Sequence, residues 1–301
     1  MNHESSANPA GTPGWNREQM PPHPEIRLGD LVEHIDQAIP YALAEAWDKV
    51  GLLLGDPDAL LTGVVVTLDV TDRTIELCEI NQANLIVTHH PLIFSPLATL
   101  RADIPEQSLI RTLIQKDIAV LALHTNLDAA AGGTADCLAD ALDLVEQQRS
   151  VFMPVKVDDP LILQALGSDL TEAGHGRVLE LSEPQDSREL KERIRTSLES
   201  SGVRQNSDAV ALVHRLAVFP GSFDESWVDR LLDLEVDAIV TGEIKHHVGL
   251  KLALRGIVAL DAGHDVTERV VLPNLAHHLS LMAPELTFAV DYGFDYNKVT
   301  F

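Results

Sequence analysis

The sequence predicts an α/β fold made of two related units, and three observations carry that prediction. Short, almost wholly apolar runs at residues 63–70, 85–88 and 118–123 suit strands covered on both faces. Amphipathic stretches at 72–82 and 106–116 lie between them, as the helical crossovers that parallel strands need. The first β-α-β pattern then recurs: residues 64–70, 72–82 and 85–88 match 217–223, 225–235 and 238–241 at one constant offset, without a gap. Ile75 and Cys78 fall on Val228 and Leu231, which keeps the buried helical stripe in register. Two related β-α-β units in one chain follow.

Taken in order, residues 1–25 are rich in Pro, Gly, Ser and Asn, and a disordered tail is expected there. Leu28, Leu31, Val32, Ile35 and Ile39 then repeat at helical spacing. The stretch AEAWDKVGLLLGD, residues 44–56, reads as a turn followed by a short apolar run. Trp47 suits packing; Asp48 is either a turn-former or a carboxylate aimed into a site.

The strand at 85–88 runs directly into His89, His90 and Pro91. Proline lacks an N–H and restricts the residue before it, so the strand stops there. The two histidines therefore stand at a carboxyl strand end, the edge where open α/β sheets bind ligands. Neighbours in an extended segment point to opposite sides, so the rings are expected to serve two adjacent ions rather than chelate one. For HHP alone, a solvated turn is the competing reading. The strand at 118–123 likewise ends in HTNLD, residues 124–128, where Asn126 and Asp128 could otherwise serve as caps.

A helix is expected over 134–144. Chemistry-bearing residues thin out from 146 to about 205, with a turn at Gly174 and Gly176, a strand at 177–181 and a charged helix at 187–200. Where the first unit has His89 and His90, the repeat has Gly242 and Glu243, then Lys245, His246 and His247. A strand at 257–260 leads through DAGH into DVTERVVLPNLAHHL, a helix that Pro273 must kink or break. His264 and Glu268, four apart, share a face near its start. The segment 288–301 is expected to add an edge strand.

With 22 basic and 46 acidic residues the chain has a net charge of −24, which disfavours nucleic acid as a partner. An anionic substrate would need a locally positive site, which bound metal ions can provide. Hydrophobic residues reach 45%, but no apolar run is long enough for a membrane span. The first residues lack the order of a signal peptide, and Cys78 and Cys137 sit in helical patterns without a disulfide framework. The chain reads as cytoplasmic and as making no membrane contact.

Three strand ends thus offer His89 with His90, Asp128, and His264 with Glu268. Imidazole and carboxylate together suit zinc, manganese or iron, and no thiolate cluster selects zinc. Five donors are too few for two closed structural sites, but suit two open ones that share a carboxylate and a water.

The ordered set THHPLIF, HTNLDAAAGG and AGHDVTER, with AEAWDKVG before it and VDAIVTGEIKHH between, resembles the GTP cyclohydrolase I type 2-like family, also called the NGG-interacting-factor-three family. The resemblance runs from about residue 28 to the C-terminus. It implies a toroidal homohexamer and two divalent metal ions per chain. His90 and Asp128 would bind one ion, His89 and His264 the other, with Glu268 touching both. The implied layout is a tail at 1–25, a metal-binding α/β domain at 26–145 plus 256–301, and a smaller α/β domain at 146–255. Family departures at Lys49, Ala135, Pro220, Phe223 and Asp265 remove no ligand. The implied reaction is hydrolytic opening of a purine nucleotide ring by a water bridging the metals, with a small anionic substrate. A dinuclear phosphoesterase and a non-catalytic metal-binding ring are the alternatives. Asp48, Lys49, His124, Glu243, Lys245, His246 and His247 are candidates for substrate contact or for support of the ligands.

Overall fold

The computed structural model describes residues 25–144, 146–155, 172–208 and 210–293; the tail expected at 1–25 falls, but for its last residue, outside them, as does 294–301. The described chain forms two sheets. In the first, β2 (Gly63–Thr67), β3 (Leu85–Thr88) and β4 (Ala119–Ala122) are parallel neighbours. They are joined by helices α2 (Asp72–Asn81) and α3 (Pro105–Gln115). Strand β1 (Gly51–Leu54) pairs antiparallel with β4, and β11 (Thr287–Asp291) lies parallel to β2 at the other edge. The expected edge strand near the C-terminus is therefore present, starting at Thr287.

The period-two pattern decides how this sheet is covered. Val64, Val66, Leu85, Val87 and Leu121 pack on one face with α1 (Leu28–Ala38) and α10 (Leu272–Met282). Val65, Ile86 and Val120 pack on the other with Ile75 and Cys78 of α2 and Leu113 of α3. With both faces covered, the strands read as continuous apolar runs and not as alternating ones.

The second sheet has strand order β5 (Glu146–Pro154), β6 (Gly174–Asp186), β8 (Leu212–Ser222), β9 (Ala238–Glu243), β10 (Val258–Asp261) and β7 (Arg204–Gln205). Its parallel centre, β8-β9-β10, mirrors β2-β3-β4. One face packs on α5 (Thr134–Ala141) and α6 (Ser187–Ser197). The other, which includes Phe152 of β5, packs on α7 (Val228–Asp233) and α8 (His246–Leu254).

One grouping differs from the expectation, and the break expected near Pro273 is found. The strand expected at 257–260 runs over Val258–Asp261, and although the implied layout groups it with the metal-binding domain, it pairs in register with β9 of the second sheet, Val258 opposite Ala238 and Asp261 opposite Thr241. The β9-α8-β10 crossover explains this, since it places β10 beside the strand that precedes it. The helix expected after residue 264 is three pieces: α9 (His264–Glu268), a 3₁₀ turn at Arg269–Val271, and α10, with Pro273 in the first turn of the last. Proline is tolerated there because the first turn's N–H groups have no intrahelical partner.

The chain crosses between the sheets at two places. Short helix α4 (Thr125–Ala129) follows β4 and leads to α5 on the second sheet; α9 follows β10 and leads to α10 on the first. The candidate site lies between these crossings.

Candidate metal centre

His89, His90, His124, Asp128, His264 and Glu268 converge where β3, β4 and β10 end. Strand β3 closes at Thr88, so His89 and His90 already belong to a bend. Strand alternation no longer governs them. Their rings come to 5.1 Å between centroids, both on the side of Glu268, which corrects the expectation that they point apart. His89 N–H and His90 N–H donate to the carbonyls of Thr67 and Leu68, which fixes the bend against β2.

Each histidine is held through Nδ1. The His89 Nδ1–H donates to the Leu123 carbonyl at 2.9 Å; a carbonyl only accepts, so the proton must be on Nδ1 and the lone pair on Nε2. His90 Nδ1 meets Asp69 Oδ1 at 2.9 Å, His124 Nδ1 meets Asp48 Oδ1 at 2.8 Å, and His264 Nδ1 meets Glu243 Oε2 at 3.3 Å. Pinning one ring nitrogen on an acceptor aims the other at a cation; metal-binding histidines are oriented in this way.

The Nε2 atoms face carboxylates. His90 Nε2 is 3.0 Å from Glu268 Oε2, and His264 Nε2 is 3.1 Å from Glu268 Oε1. His89 Nε2 is 3.7 Å from Asp128 Oδ1 and 3.8 Å from Glu268 Oε1. His89 Nε2 and Glu268 Oε2 are buried with no hydrogen-bond partner. The short His90–Glu268 approach does not satisfy Oε2 while the ring is neutral, because a neutral ring that donates from Nδ1 presents only a lone pair there. Lone pairs facing carboxylate oxygens at this range require a cation between them, a proton or a metal ion. The donor set therefore fits a metal.

Charge shifts follow from the same geometry. Burial alone would lower the pKa of His90, but the bonds and charges of Asp69 and Glu268 outweigh it and push it up to about 10. His89 is raised against its full burial by Asp128 and Glu268, and His264 is raised by its bond to Glu268. Burial would raise Glu268, yet the three imidazoles hold it well below the carboxylate range. A metal ion entering here must displace protons from the rings.

Among the described residues, two groups of side chains could each hold an ion: His89, His90 and His124, and His90, His264 and Glu268. The resemblance implied His90 with Asp128 and His89 with His264; the short distances instead run from His89 to Asp128 and from His90 and His264 to Glu268. Thr134 Oγ1 donates to Asp128 Oδ1 and orients it.

Of the supporting candidates, Asp48 is enclosed: it accepts from His124, from Thr125 N–H at 3.0 Å and from Thr125 Oγ1 at 2.5 Å. Those bonds overcome its burial and hold it well below the carboxylate range. It orients a site histidine and is no mere turn-former. Glu243 supports His264. Lys49 folds onto the carbonyls of Trp47 and Asp48, His247 pairs with Glu225, and Lys245 and His246 stand exposed at the start of α8. None of these four lines the cleft.

Two residues were missed. Asp69 follows β2 at the same strand-end edge as His89, and that position was its only sequence signal. Gly221 stands in the turn whose Pro220 and Phe223 depart from the family pattern, and that was its signal: its φ is +62°, and a Cβ there would lie 2.1 Å from Glu268 Oε1. Gly242, at the position equivalent to His89, is equally enclosed, a Cβ meeting the His264 Cα at 2.6 Å.

A cleft of about 550 Å³ opens beside the centre, lined by His124, Asp128, His264 and Glu268 and farther out by Trp47, His175 and Trp227. The family model for Duf34/NIF3 (NGG1p interacting factor 3) matches residues 26–295. The chain belongs to this family. It is 36% identical over 245 residues to a Streptomyces coelicolor protein named GTP cyclohydrolase 1 type 2 homolog, covering 80% of this chain and 81% of that one. A Clostridium perfringens protein of the same name is 31% identical over 247 residues, covering 82% and 88%. The crystal structure of a Staphylococcus aureus protein superposes with a TM-score of 0.80 at 25% identity, covering 92% of this chain and 99% of that one. A Bacillus cereus protein related to NIF3 gives 0.83 at 21% identity, covering 93% and 100%, and shares the fold. No helix among the described residues is long and apolar enough to cross a membrane.

Proposed function

We propose that the chain is a dinuclear metal-dependent hydrolase that opens the imidazole ring of a purine-type substrate, the reaction suggested by the relatives' name. The observation that carries this is the buried, unpartnered pair His89 Nε2 and Glu268 Oε2, set among three further imidazoles and Asp128. His89, His90, Asp128, His264 and Glu268 would hold two divalent ions, with Glu268 shared because its two oxygens face different histidines. Such ions lower the pKa of water and stabilise an oxyanion. The chain's own part is orientation: Leu123, Asp69, Asp48 and Glu243 fix the rings, and Thr134 fixes Asp128. His124, held by Asp48 and facing the cleft, stands within reach of a substrate and holds a ring nitrogen toward it. A homohexameric ring is part of the proposal.

The test is to load the stripped protein with zinc, manganese or iron, count bound ions by elemental analysis, and assay for formamidopyrimidine product. Wild type should bind two ions per chain and turn over. Glu268→Gln should lose at least one ion and activity by about 100-fold, the scale expected when a metal's shared support is removed. Two ions with no product, but release of phosphate from esters, would replace the ring-opening reaction with phosphoester hydrolysis.

A further inference from the structure

The outer cleft combines aromatic walls with an absence of fixed positive charge. Trp47 is 54% exposed although it is a large apolar ring, and its ring lies 6.2 Å from His124, edge to face. Across the opening, Trp227 packs on Phe219 at 5.3 Å and lies nearly parallel to His175, 25° between planes. Glu45 reaches His175 at 3.1 Å, so the segment carrying Trp47 is tied to the opposite wall. Aromatic faces on both sides of a cleft that ends at a metal centre favour a flat, π-bearing ligand.

The charges select among such ligands. Among the described residues that line the cleft none is lysine or arginine, while Glu45 and Asp224 stand at its outer part. A triphosphate would find no cation except the metal ions. Its phosphates would take the metals, leaving the ring away from the reacting centre, and the outer carboxylates would repel the rest.

We infer that the cleft takes an uncharged planar nitrogen heterocycle, a nucleobase or nucleoside, stacked against Trp47 with Trp227 in the facing wall, and that a nucleoside triphosphate is not its substrate. This rests on the metal-hydrolase reading for the reaction but not for the binding. Two observations support it independently of any turnover: the solvent-exposed tryptophan beside the centre and the charge of the lining.

Binding to metal-loaded full-length protein tests it, read by calorimetry and by tryptophan quenching with guanosine and GTP as probes. Guanosine should bind at least about tenfold more tightly than GTP. Trp47→Ala should weaken guanosine by about tenfold, the scale of one lost stacking partner, with metal content unchanged. Trp227 is packed against other aromatics, so Asp224→Asn serves as the second variant: it removes a carboxylate of the lining but keeps an oxygen to accept from Ser226 N–H, and it should strengthen GTP and leave guanosine within about twofold. Tighter GTP than guanosine, or guanosine binding indifferent to Trp47→Ala, overturns the inference. Trp47-dependent guanosine binding without ring-opened product would sink the proposed reaction and leave this inference standing; efficient GTP turnover by Trp47→Ala would do the reverse.

Discussion

Glu268 is 4% exposed and sits against imidazoles from two separate segments, so its position has to be defended by its neighbours. Gly221 is the most sensitive of them. Its backbone is left-handed, and an added Cβ would overlap Glu268 Oε1 and press His264 Nε2 at 3.3 Å. Gly221→Ala should therefore displace the carboxylate and cost stability by about 1–3 kcal/mol. Elemental analysis should show a large loss of bound metal, whereas alanine at the open position Gly132 (also left-handed) should cost stability alone. The protonation of the same rings sets a pH dependence. His90 has a folded pKa near 10 against an ordinary 6.5, so in metal-stripped protein its contribution is complete below about 6.5 and is lost as pH climbs toward 10. Between pH 6.5 and 8.5, below the range where Cys78 and Cys137, raised to about 12 and about 11, begin to matter, the stripped protein should melt at progressively lower temperature. His90→Gln should flatten that slope. Metal affinity should rise over the same window, since fewer protons must leave. A stripped wild type whose melting temperature climbs with pH would refute this assignment.

At the scale of elements, the parallel strands were legible because two covered faces leave no charged position in β3, and because Ile75 and Cys78 repeat as Val228 and Leu231. The sheet to which β10 belongs was not legible: pairing is non-local, and nothing in VALD distinguishes one parallel neighbour from another. The site was legible at His89, His90, His264 and Glu268, where strand ends met ligand-type residues. Asp48 was legible as a candidate for support, but the histidine it supports was not, because His124 lies far along the chain and only the fold brings them within 2.8 Å. A deeper regularity also escaped the constant offset. Strands β4 and β10 occupy equivalent places in their sheets, and each is followed by a short helix with a histidine four residues before a carboxylate, His124 with Asp128 and His264 with Glu268. The offset fails past residue 241 because the first unit carries residues 89–104 between β3 and α3, whereas only Ile244 and Lys245 separate β9 from α8. The centre is thus built from two copies of one turn facing each other, with His89 and His90 added on one side only. The equivalent position on the other side is Gly242, whose contacts with α9 leave no room for a ring.

For the whole molecule, the question is what keeps the two sheets at a fixed separation across a cleft that must hold its ligands to within tenths of an ångström. Arg177 of β6 is 3% exposed and answers much of it. It grips both oxygens of Asp136 in α5 at 2.8 and 2.6 Å, and donates to the carbonyls of Gly174, Gly176, Glu172 and Ala130. Ala130 ends the helix that bears Asp128, and Gly176 lines the cleft beside His175, so one guanidinium joins the first sheet's ligand-bearing turn to the second sheet's wall. Removing one member of a buried pair leaves the other charge without compensation, a loss of about 3–5 kcal/mol. Arg177→Met should lower unfolding free energy in denaturant by that amount. Arg177→Lys, which keeps the charge but lacks the planar fork, should fall between. Because Asp136 also takes bonds from Gly132 N–H and Arg149, the double variant Arg177→Met with Asp136→Leu should lose less than the sum of the two single changes. If Arg177→Met instead cost under about 1 kcal/mol and left metal affinity intact, the sheets would have to be held by their apolar contacts alone. The ion pair would then be a satisfied interior charge with no hold on the cleft.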